Sequence, residues 1–355
     1  MKIYKNIFND IVSLESIFSA WDAFKKGKRK KLDVQIFEQC AEGNLFRLHA
    51  DLTSHSYVHA PYHAFFIRDP KVREIHKAIV RDRIVHHVVY QKLNPIFEKT
   101  FIADSYSSRK MKGTHKGVTR LETFTRKVSQ TNGRCVVLKC DIRKFFASID
   151  HEILYSILEK RIKDVHVLRL LHAIIESFPS TVALRERERE RERESKSPPR
   201  KGCPIGNLTS QLFANIYMNE FDQFMKHTLK VKLYIRYTDD FVIVHHDEEY
   251  LLQILTCIEK FLRERLNLEL HPHKIGVHKL RQGVDFLGYV QLPHTRVLRT
   301  KTKRRIFRKL EMLVSEERLF ASFNSYMGVL AHANSYQLQE DLKHMLWHLL
   351  NSPDE

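Results

Sequence analysis

Residues 232–245 read KLYIRYTDDFVIVH, and this stretch decides the fold of the chain. Two arms rich in β-branched and aromatic residues flank a short polar turn, a pattern typical of a β-hairpin. A lone Asp-Asp pair in a turn is explained by local hydrogen bonding alone. Both arms are apolar enough to be buried, however, so the hairpin would hold Asp239 and Asp240 in a rigid turn. Thr238 before them is β-branched and is expected to fit the end of a strand.

A third carboxylate ends another predicted strand. Residues 134–141, RCVVLKCD, are apolar and β-branched for their length and predict a buried strand that ends at Asp141. A rigid turn beside this strand would bring Asp141, Asp239 and Asp240 together as hard oxygen ligands of the kind that Mg²⁺ prefers. Such a cluster suits nucleotidyl transfer, in which two metal ions stabilise the attacking and leaving oxygens. Asp141 and Asp239 would bridge both ions, and Asp240 would be a more peripheral ligand.

The composition indicates a polyanionic partner. The net charge is +18, from 60 Lys and Arg against 42 Asp and Glu in 355 residues. Nucleic acid is the leading partner because neutralised phosphates release condensed counterions, and a membrane surface or simple solubility are the alternatives. We find no long basic amphipathic helix, no signal peptide and no apolar run approaching about 18 residues. We therefore expect no membrane partner and a cytoplasmic location, and five cysteines without a CxxC pair fit a reducing compartment.

Helical periodicity accounts for much of the remaining chain. The apolar positions of residues 71–93 recur at helical spacing and predict one amphipathic helix. Residues 210–229 predict a second helix with a strongly apolar face. The five Arg-Glu pairs at 185–194, within a low-complexity loop over 185–200, cannot bury apolar surface. They predict a surface loop or a lone solvated helix without a catalytic role.

As a set, the motifs of the chain resemble those of reverse transcriptases. LKCDIRKFFASIDH at 138–151 resembles the first palm motif, and IRYTDDFVIV at 235–244 resembles the YxDD motif. SYSSRKMKGTH at 105–115 resembles the fingers motif that grips the incoming triphosphate. FLGY at 286–289 resembles the primer grip, and Lys274 resembles the lysine of the motif before it. The resemblance covers most of the chain.

The resemblance implies roles for individual residues, two Mg²⁺ ions as cofactors (with Mn²⁺ as an in vitro substitute), and dNTPs, template RNA and RNA–DNA hybrid as partners. Arg109 and Lys112 would contact the triphosphate. Phe146 would lie beneath the sugar, where its ring would clash with a 2′-hydroxyl, although one ring of the Phe145–Phe146 pair is expected in the core. The residues that would contact primer or template are Tyr237, Lys274, Leu287, Gly288, Arg304 and Arg305.

The segment GCPIGNLTSQ at 202–211 separates this chain from most reverse transcriptases, which carry PQGxxxSP. Ile205 stands where Gln is usual, and Gln211 stands where Pro is usual. This variant resembles the enzymes of diversity-generating retroelements, which copy a template RNA with errors at adenines, as does SYMGVLAHANSY at 325–336 in the thumb. Ile205, Gly206 and Gln211 would contact the dNTP. Ile205 removes a polar contact near the nascent base pair, so we expect it to reduce fidelity.

The expected fold class is α+β: a right-hand polymerase with fingers, a helical thumb and a ferredoxin-like palm whose antiparallel sheet is of βαββαβ type. The fingers and N-terminal helices would span 1–130, the palm 131–295 and the thumb 296–355. The basic start of the thumb would grip the backbone of an A-form hybrid.

Several functions remain open. A retroelement enzyme would bind a small basic accessory protein oligomer, and a phage-defence or retron-type enzyme would share the same aspartates. A group II intron enzyme is disfavoured because few residues follow the predicted thumb. A non-catalytic RNA-binding protein on the same scaffold is disfavoured because clustered carboxylates are costly to keep. A palm-fold nucleotide cyclase would lack the fingers and thumb segments.

Overall fold

The computed structural model describes residues 2–68, 72–178, 200–313 and 315–351. The Arg-Glu tract that we predicted as a loop therefore lies outside the described residues. The chain divides into two compact units, which we call the helical unit and the sheet unit. The helical unit comprises Met1–Ala103, Ile142–Lys230 and Cys257–Pro272, and the sheet unit comprises Asp104–Asp141, Val231–Thr256 and His273–Glu355.

The helical unit combines helices with one two-stranded sheet. Its helices are α1 Phe8–Val12, α2 Leu14–Lys25, α3 Leu32–Gln39, α4 Ala41–Thr53, α5 Val80–Glu98, α7 Phe145–Ser148, α8 His151–Glu159, α9 Val165–Glu176 and α10 Leu208–Gln223, which continues as a π-helical turn at Phe224–Thr228. Its strands are β1 His63–Ile67 and β2 Arg73–Lys77, which pair antiparallel. The helix predicted at 210–229 is confirmed as α10 and the π turn.

The helix predicted over 71–93 is wrong in its first part. Residues 73–77 form strand β2 instead, and α5 begins at Val80 after the extended residue Ile79. The apolar spacing that indicated a helix is also satisfied by the strand, because Ile75 pairs with Phe65 of β1 across the hairpin. Pairing with the neighbouring strand β1 has overridden the helical periodicity.

A four-stranded antiparallel sheet forms the centre of the sheet unit. Its strands are β3 Val136–Asp141, β4 Tyr234–Tyr237, β5 Asp240–His245 and β6 Gly276–Lys279, in the order β4-β5-β3-β6. In the sequence, helices separate β3 from β4, and α11 Glu248–Leu266 separates β5 from β6. The predicted βαββαβ palm is confirmed, and the fold class is α+β.

Helix α6, Thr114–Asn132, packs on one face of this sheet. Leu121, Phe124 and Val128 of the helix contact a cluster that includes Val137 and Val242 of the strands. Burying these side chains fixes the strand register, because a slip of one residue would turn each of them to the opposite face.

Smaller elements complete the sheet unit. They are β7 Val284–Phe286, β8 Tyr289–Gln291, β9 Arg296–Leu298, α12 Thr300–Glu311, α13 Glu316–Leu330 and α14 Tyr336–Asn351. The last three helices share a core with β8 and β9, as expected for the helical thumb. No helix in the part of the chain that the structure describes is both long and apolar enough to cross a bilayer. The predicted boundaries between fingers, palm and thumb stay a prediction.

Candidate active site

The register of the sheet brings the predicted carboxylates to one place. In the β3–β5 ladder Asp141 lies directly opposite Asp240, and Tyr237 pairs with Asp240 across the loop Thr238–Asp239. Asp141 is 8% exposed, and both other aspartates are half-buried. Facing side chains on adjacent antiparallel strands have Cβ atoms about 4.5–5.5 Å apart, so carboxylates at these positions repel each other.

The electrostatics of the cluster confirm that repulsion. Burial raises the pKa of Asp240 from 3.8 to about 6, and the charges of Asp141 and Asp239 act in the same direction. The ammonium group of Lys139 opposes the rise. Lys274 donates from Nζ to Oδ1 of Asp141 at 2.7 Å, so one oxygen of that carboxylate is already paired with a cation. The cluster is therefore only partly compensated by the side chains around it.

A divalent cation fits this set of donors. Two facing carboxylates remain unfavourable until a proton or a cation lies near both, and carboxylate oxygens are the ligands that Mg²⁺ prefers. Over residues 2–68, 72–178, 200–313 and 315–351, no group of three or more His, Cys, Asp or Glu side chains is close enough to form a complete metal site. The donors that fit such a cation are the facing carboxylates of Asp141 and Asp240, with Asp239 next to them. The assignment of all three as metal ligands stays a prediction.

The turn that carries these aspartates is strained. Thr238 has a φ of +57°, in the left-handed region that a β-branched residue rarely adopts. Our expectation that it fits the end of a strand is wrong, because it occupies the first loop position of the hairpin. Such a conformation costs about 1–3 kcal/mol and persists only where neighbours hold it. The hydroxyl of Thr238 donates to the hydroxyl of Ser107 at 2.6 Å.

Arg236 is the side chain that holds the turn from inside, and the sequence motifs did not identify it. It is fully buried, and its guanidinium donates to the Thr238 carbonyl at 3.0 Å and to the Ser105 hydroxyl at 3.2 Å. Its backbone accepts from the Tyr106 amide at 2.9 Å and donates to the Asp104 carbonyl at 3.0 Å. The available signal was an arginine inside the otherwise apolar arm of the hairpin.

The predicted triphosphate contacts lie in the segment beside β4. Arg109 donates from Nη1 to the Ser105 carbonyl at 2.8 Å. Lys112 places its Nζ 5.1 Å from the centroid of the Tyr106 ring. Because Ser105 forms a parallel bridge with Arg236, this segment is joined to the strand that leads into the aspartate turn. The structure thus places both basic residues in the same unit as the three aspartates.

The predicted primer and template contacts also fall in the sheet unit. Leu287 and Gly288 form the two-residue turn between β7 and β8, with φ values of +51° and +90°. The Tyr237 hydroxyl accepts from Thr114 at the start of α6, at 3.3 Å. On α12, Arg304 is exposed and Arg305 half-buried, whereas Ile306 and Leu310 face the core. The exposed side of this helix is therefore cationic.

The other predicted nucleotide contacts come together in the helical unit. The Cys203 amide donates to the Phe146 carbonyl at 2.7 Å, which joins the residues after β3 to the 202–211 segment. Phe145 is 2% exposed and belongs to the core, whereas Phe146 is half-buried. This difference favours Phe146 as the ring available to a ligand.

The 202–211 segment contains one position that requires glycine. Gly206 has a φ of +112°, and a Cβ added to it would lie 2.9 Å from Cγ2 of Ile75. Ile205 beside it is half-buried. Gln211 is exposed in the first turns of α10.

The chain is similar to several known proteins. The chain is 25% identical over 276 residues to Protein YkfC of Escherichia coli (strain K12), covering 68% of this chain and 69% of that protein. It is 22% identical over 347 residues to the group II intron-encoded protein LtrA of Lactococcus lactis subsp. cremoris, covering 78% of this chain and 54% of LtrA, and thus spans about half of LtrA. A solved structure of apo telomerase from Candida tropicalis aligns with a TM-score of 0.48 at 13% identity, over 70% of this chain and 58% of that chain.

One protein-family model covers the strands that carry the aspartates. The sequence model described as "Reverse transcriptase (RNA-dependent DNA polymerase)" matches residues 68–291. This range covers more than half of the chain and includes β3, β4 and β5. The chain belongs to the reverse transcriptase family of RNA-dependent DNA polymerases.

Proposed function

We propose that this chain is the RNA-directed DNA polymerase of a diversity-generating retroelement. The single observation that supports polymerase activity is the β3–β5 register, which sets Asp141 opposite Asp240 with Asp239 beside it. Bound divalent cations would lower the pKa of the primer 3′-hydroxyl and neutralise the triphosphate. The chain's own contribution is to hold Asp239 and Asp240 at a turn that Arg236 keeps from relaxing, opposite Asp141 at the end of β3.

Other residues of the chain bind and orient the substrates. In this proposal Arg109 and Lys112 bind the triphosphate, and Phe146 excludes ribonucleotides by contact with a 2′-hydroxyl. The primer–template backbone lies against the Leu287–Gly288 turn and the cationic side of α12, including Arg304. Such contacts are made to phosphates, so binding to an RNA–DNA hybrid falls steeply as the salt concentration rises.

The retroelement role rests on the 202–211 segment. Ile205 and Gln211 replace the Gln and Pro that most relatives carry, and the apolar Ile205 offers no hydrogen bond to the nascent base pair. Each loss of about 1.4 kcal/mol in discrimination raises the error frequency about tenfold. The proposal includes a small basic accessory oligomer as partner and a cytoplasmic site of action, where template RNA and dNTPs are present.

The test is primer extension on an RNA template with Mg²⁺, followed by sequencing of the cDNA. We expect extension by the wild type, with misincorporation concentrated opposite template adenines. The Ile205→Gln variant should lower that misincorporation without lowering the extension rate. Extension with an unchanged error spectrum in Ile205→Gln would contradict the role of Ile205 and leave the polymerase assignment standing.

A second candidate is a reverse transcriptase of another bacterial element, and the similarity to LtrA favours it. Sequencing the RNA that copurifies with the protein distinguishes the two. A repeat-derived template RNA together with a small accessory protein supports the retroelement. A structured intron RNA without such a protein supports the second candidate.

A further inference from the structure

A chain of buried polar side chains crosses the helical unit. His59 and His86 lie with their Nε2 atoms 3.0 Å apart, and Nδ1 of His86 lies 2.6 Å from the Thr209 hydroxyl. Nδ1 of His59 lies 2.6 Å from the Ala60 carbonyl. His86 and Thr209 are each 1% exposed, as is the side chain of His59. This chain of buried side chains thus links the loop before β1, helix α5 and the first turn of α10 without access to water.

The chemistry of the end group fixes the direction of every hydrogen bond in this chain. The Ala60 carbonyl can only accept, so His59 carries its proton on Nδ1 and presents a lone pair at Nε2. His86 must then donate from Nε2, which leaves its Nδ1 as an acceptor. The Thr209 hydroxyl therefore donates to His86. One tautomer of each histidine satisfies all three contacts.

The surroundings keep both rings neutral. Burial lowers the pKa of His86 to about 3. Burial also lowers the pKa of His59, although Asp82 nearby acts in the opposite direction. Asp82 is itself occupied, because it accepts from the Tyr57 hydroxyl and from the Ala60 amide, each at 2.9 Å. The donor and acceptor roles along this chain of hydrogen bonds therefore stay the same at ordinary pH.

This chain of hydrogen bonds ends at the segment that separates this protein from most of its relatives. Thr209 is the second residue of α10 and is separated from the Ile205–Asn207 turn only by Leu208. The same turn is held from the other side by β2, since the His76 amide donates to the Ile205 carbonyl at 3.1 Å. Asn207 donates from Nδ2 to the His76 carbonyl at 2.8 Å. The backbone pairing with β2 and the contact from His86 of α5 thus hold the segment between them.

We propose that His86 is a positioning residue for nucleotide selection, acting through the Thr209 hydroxyl on the position of Ile205 and Gln211, and that His59 sets the tautomer in which His86 accepts from Thr209. The inference rests on the proposed function, in which those two side chains contact the incoming dNTP. An apolar side chain such as Ile205 selects by shape alone, so its contribution depends on where the backbone holds it. A directional chain of hydrogen bonds fixes the position of that backbone more tightly than apolar packing does.

Two substitutions at one position separate positioning from stability. In His86→Asn the amide oxygen replaces Nδ1, so the variant still accepts from Thr209 but loses His59. In His86→Gln the amide replaces Nε2, so the variant still reaches His59 but loses Thr209. Each variant loses one buried contact of the same kind, and similar falls in thermal midpoint are expected. Thr209→Val and Thr209→Ser form a second pair that removes or keeps the hydroxyl.

Steady-state extension on an RNA template gives KM for the correct and an incorrect dNTP, and kcat for each. We expect His86→Gln and Thr209→Val to raise KM for the correct dNTP about fivefold, the effect of one lost neutral hydrogen bond, with kcat nearly unchanged. His86→Asn and Thr209→Ser should match the wild type in KM. Equal KM and equal dNTP selectivity for His86→Asn and His86→Gln would overturn the inference while the polymerase assignment stands. A wild type that extends no primer would instead overturn the proposed function and the inference together.

Discussion

Replacing Asp240 with Asn should stabilise the metal-free protein while removing its polymerase activity. The carboxyl of Asp240 has a pKa raised from 3.8 to about 6, by burial first and then by Asp141 and Asp239. A carboxyl whose pKa rises on folding binds more protons in the folded than in the unfolded state between those values. Stability is therefore lost as the pH rises through this window, and above it the folded protein carries the full penalty.

The size of the penalty follows from the shift. A rise of about two pKa units corresponds to about 3 kcal/mol as an upper bound. Because Asp240 is half-buried and not fully enclosed, solvent screening reduces the expected penalty to about 1–2 kcal/mol. One kcal/mol moves the thermal midpoint of a domain of about 150–250 residues by about 2–4 °C. Asp240→Asn should therefore melt a few degrees higher than the wild type above the raised pKa.

Thermal unfolding with a chelator present, at about pH 5 and about pH 8, measures this effect. From the lower to the higher pH, the thermal midpoint of the wild type should fall relative to that of Asp240→Asn. Added Mg²⁺ should raise the thermal midpoint of the wild type more than that of the variant. Asp341→Asn, at an exposed carboxyl on α14, serves as the control and should follow the wild type. An Asp240→Asn protein that melts below the wild type at the higher pH would refute the account of a strained carboxylate cluster.

Three further substitutions test other residues to which this account assigns a role. Arg236→Met removes the buried guanidinium, and each lost hydrogen bond to a charged group is worth about 1.5–3 kcal/mol, so the single-turnover extension rate should fall at least about tenfold. Gly206→Ala should destabilise the protein by about 1 kcal/mol or more in thermal unfolding, because the φ of Gly206 is +112° and an added Cβ would meet Ile75. The control is Gly43→Ala in α4, where an added Cβ meets nothing within 4 Å and should stabilise the protein by about 0.5–1 kcal/mol. Phe146→Ala should raise ribonucleotide incorporation, measured in competition with dNTPs.

The opposite outcomes are equally distinct. A wild-type extension rate in Arg236→Met would show that the turn keeps its shape without the guanidinium. If Gly206→Ala is as stable as Gly43→Ala, the 202–211 segment tolerates another conformation. Ribonucleotide exclusion that survives in Phe146→Ala would assign the exclusion to another side chain.

The sequence predicted the parts of the site whose signals are local. The β-branched runs that end at Asp141 and begin at Asp240 predicted two buried strands, and the hydrophobic pattern then fixed their register. The βαββαβ order followed from the same pattern and the resemblance. The prediction failed at 73–77, where pairing with β1 decided the structure. It also failed at Thr238, where the turn and not the strand sets the backbone.

The supporting side chains could not have been predicted, because their partners are distant in the sequence. Arg236 contacts Ser105, 131 residues away, and His86 contacts Thr209, 123 residues away. An arginine inside an apolar strand indicates that it needs a buried partner, but neither it nor a histidine on a helix shows which residue that partner is. Only the fold shows that these side chains hold the two segments on which catalysis and nucleotide choice are proposed to depend.

The most direct test of the central claim is RNA-templated primer extension by Asp239→Asn beside the wild type, as a function of Mg²⁺ concentration. Because the charge of Asp239 adds to the repulsion within the cluster, this substitution should leave the thermal midpoint at or above that of the wild type. We predict Mg²⁺-dependent extension by the wild type and no extension above background by the variant at any Mg²⁺ concentration. Extension by Asp239→Asn at the wild-type rate would contradict the claim that these carboxylates hold the catalytic metal ions.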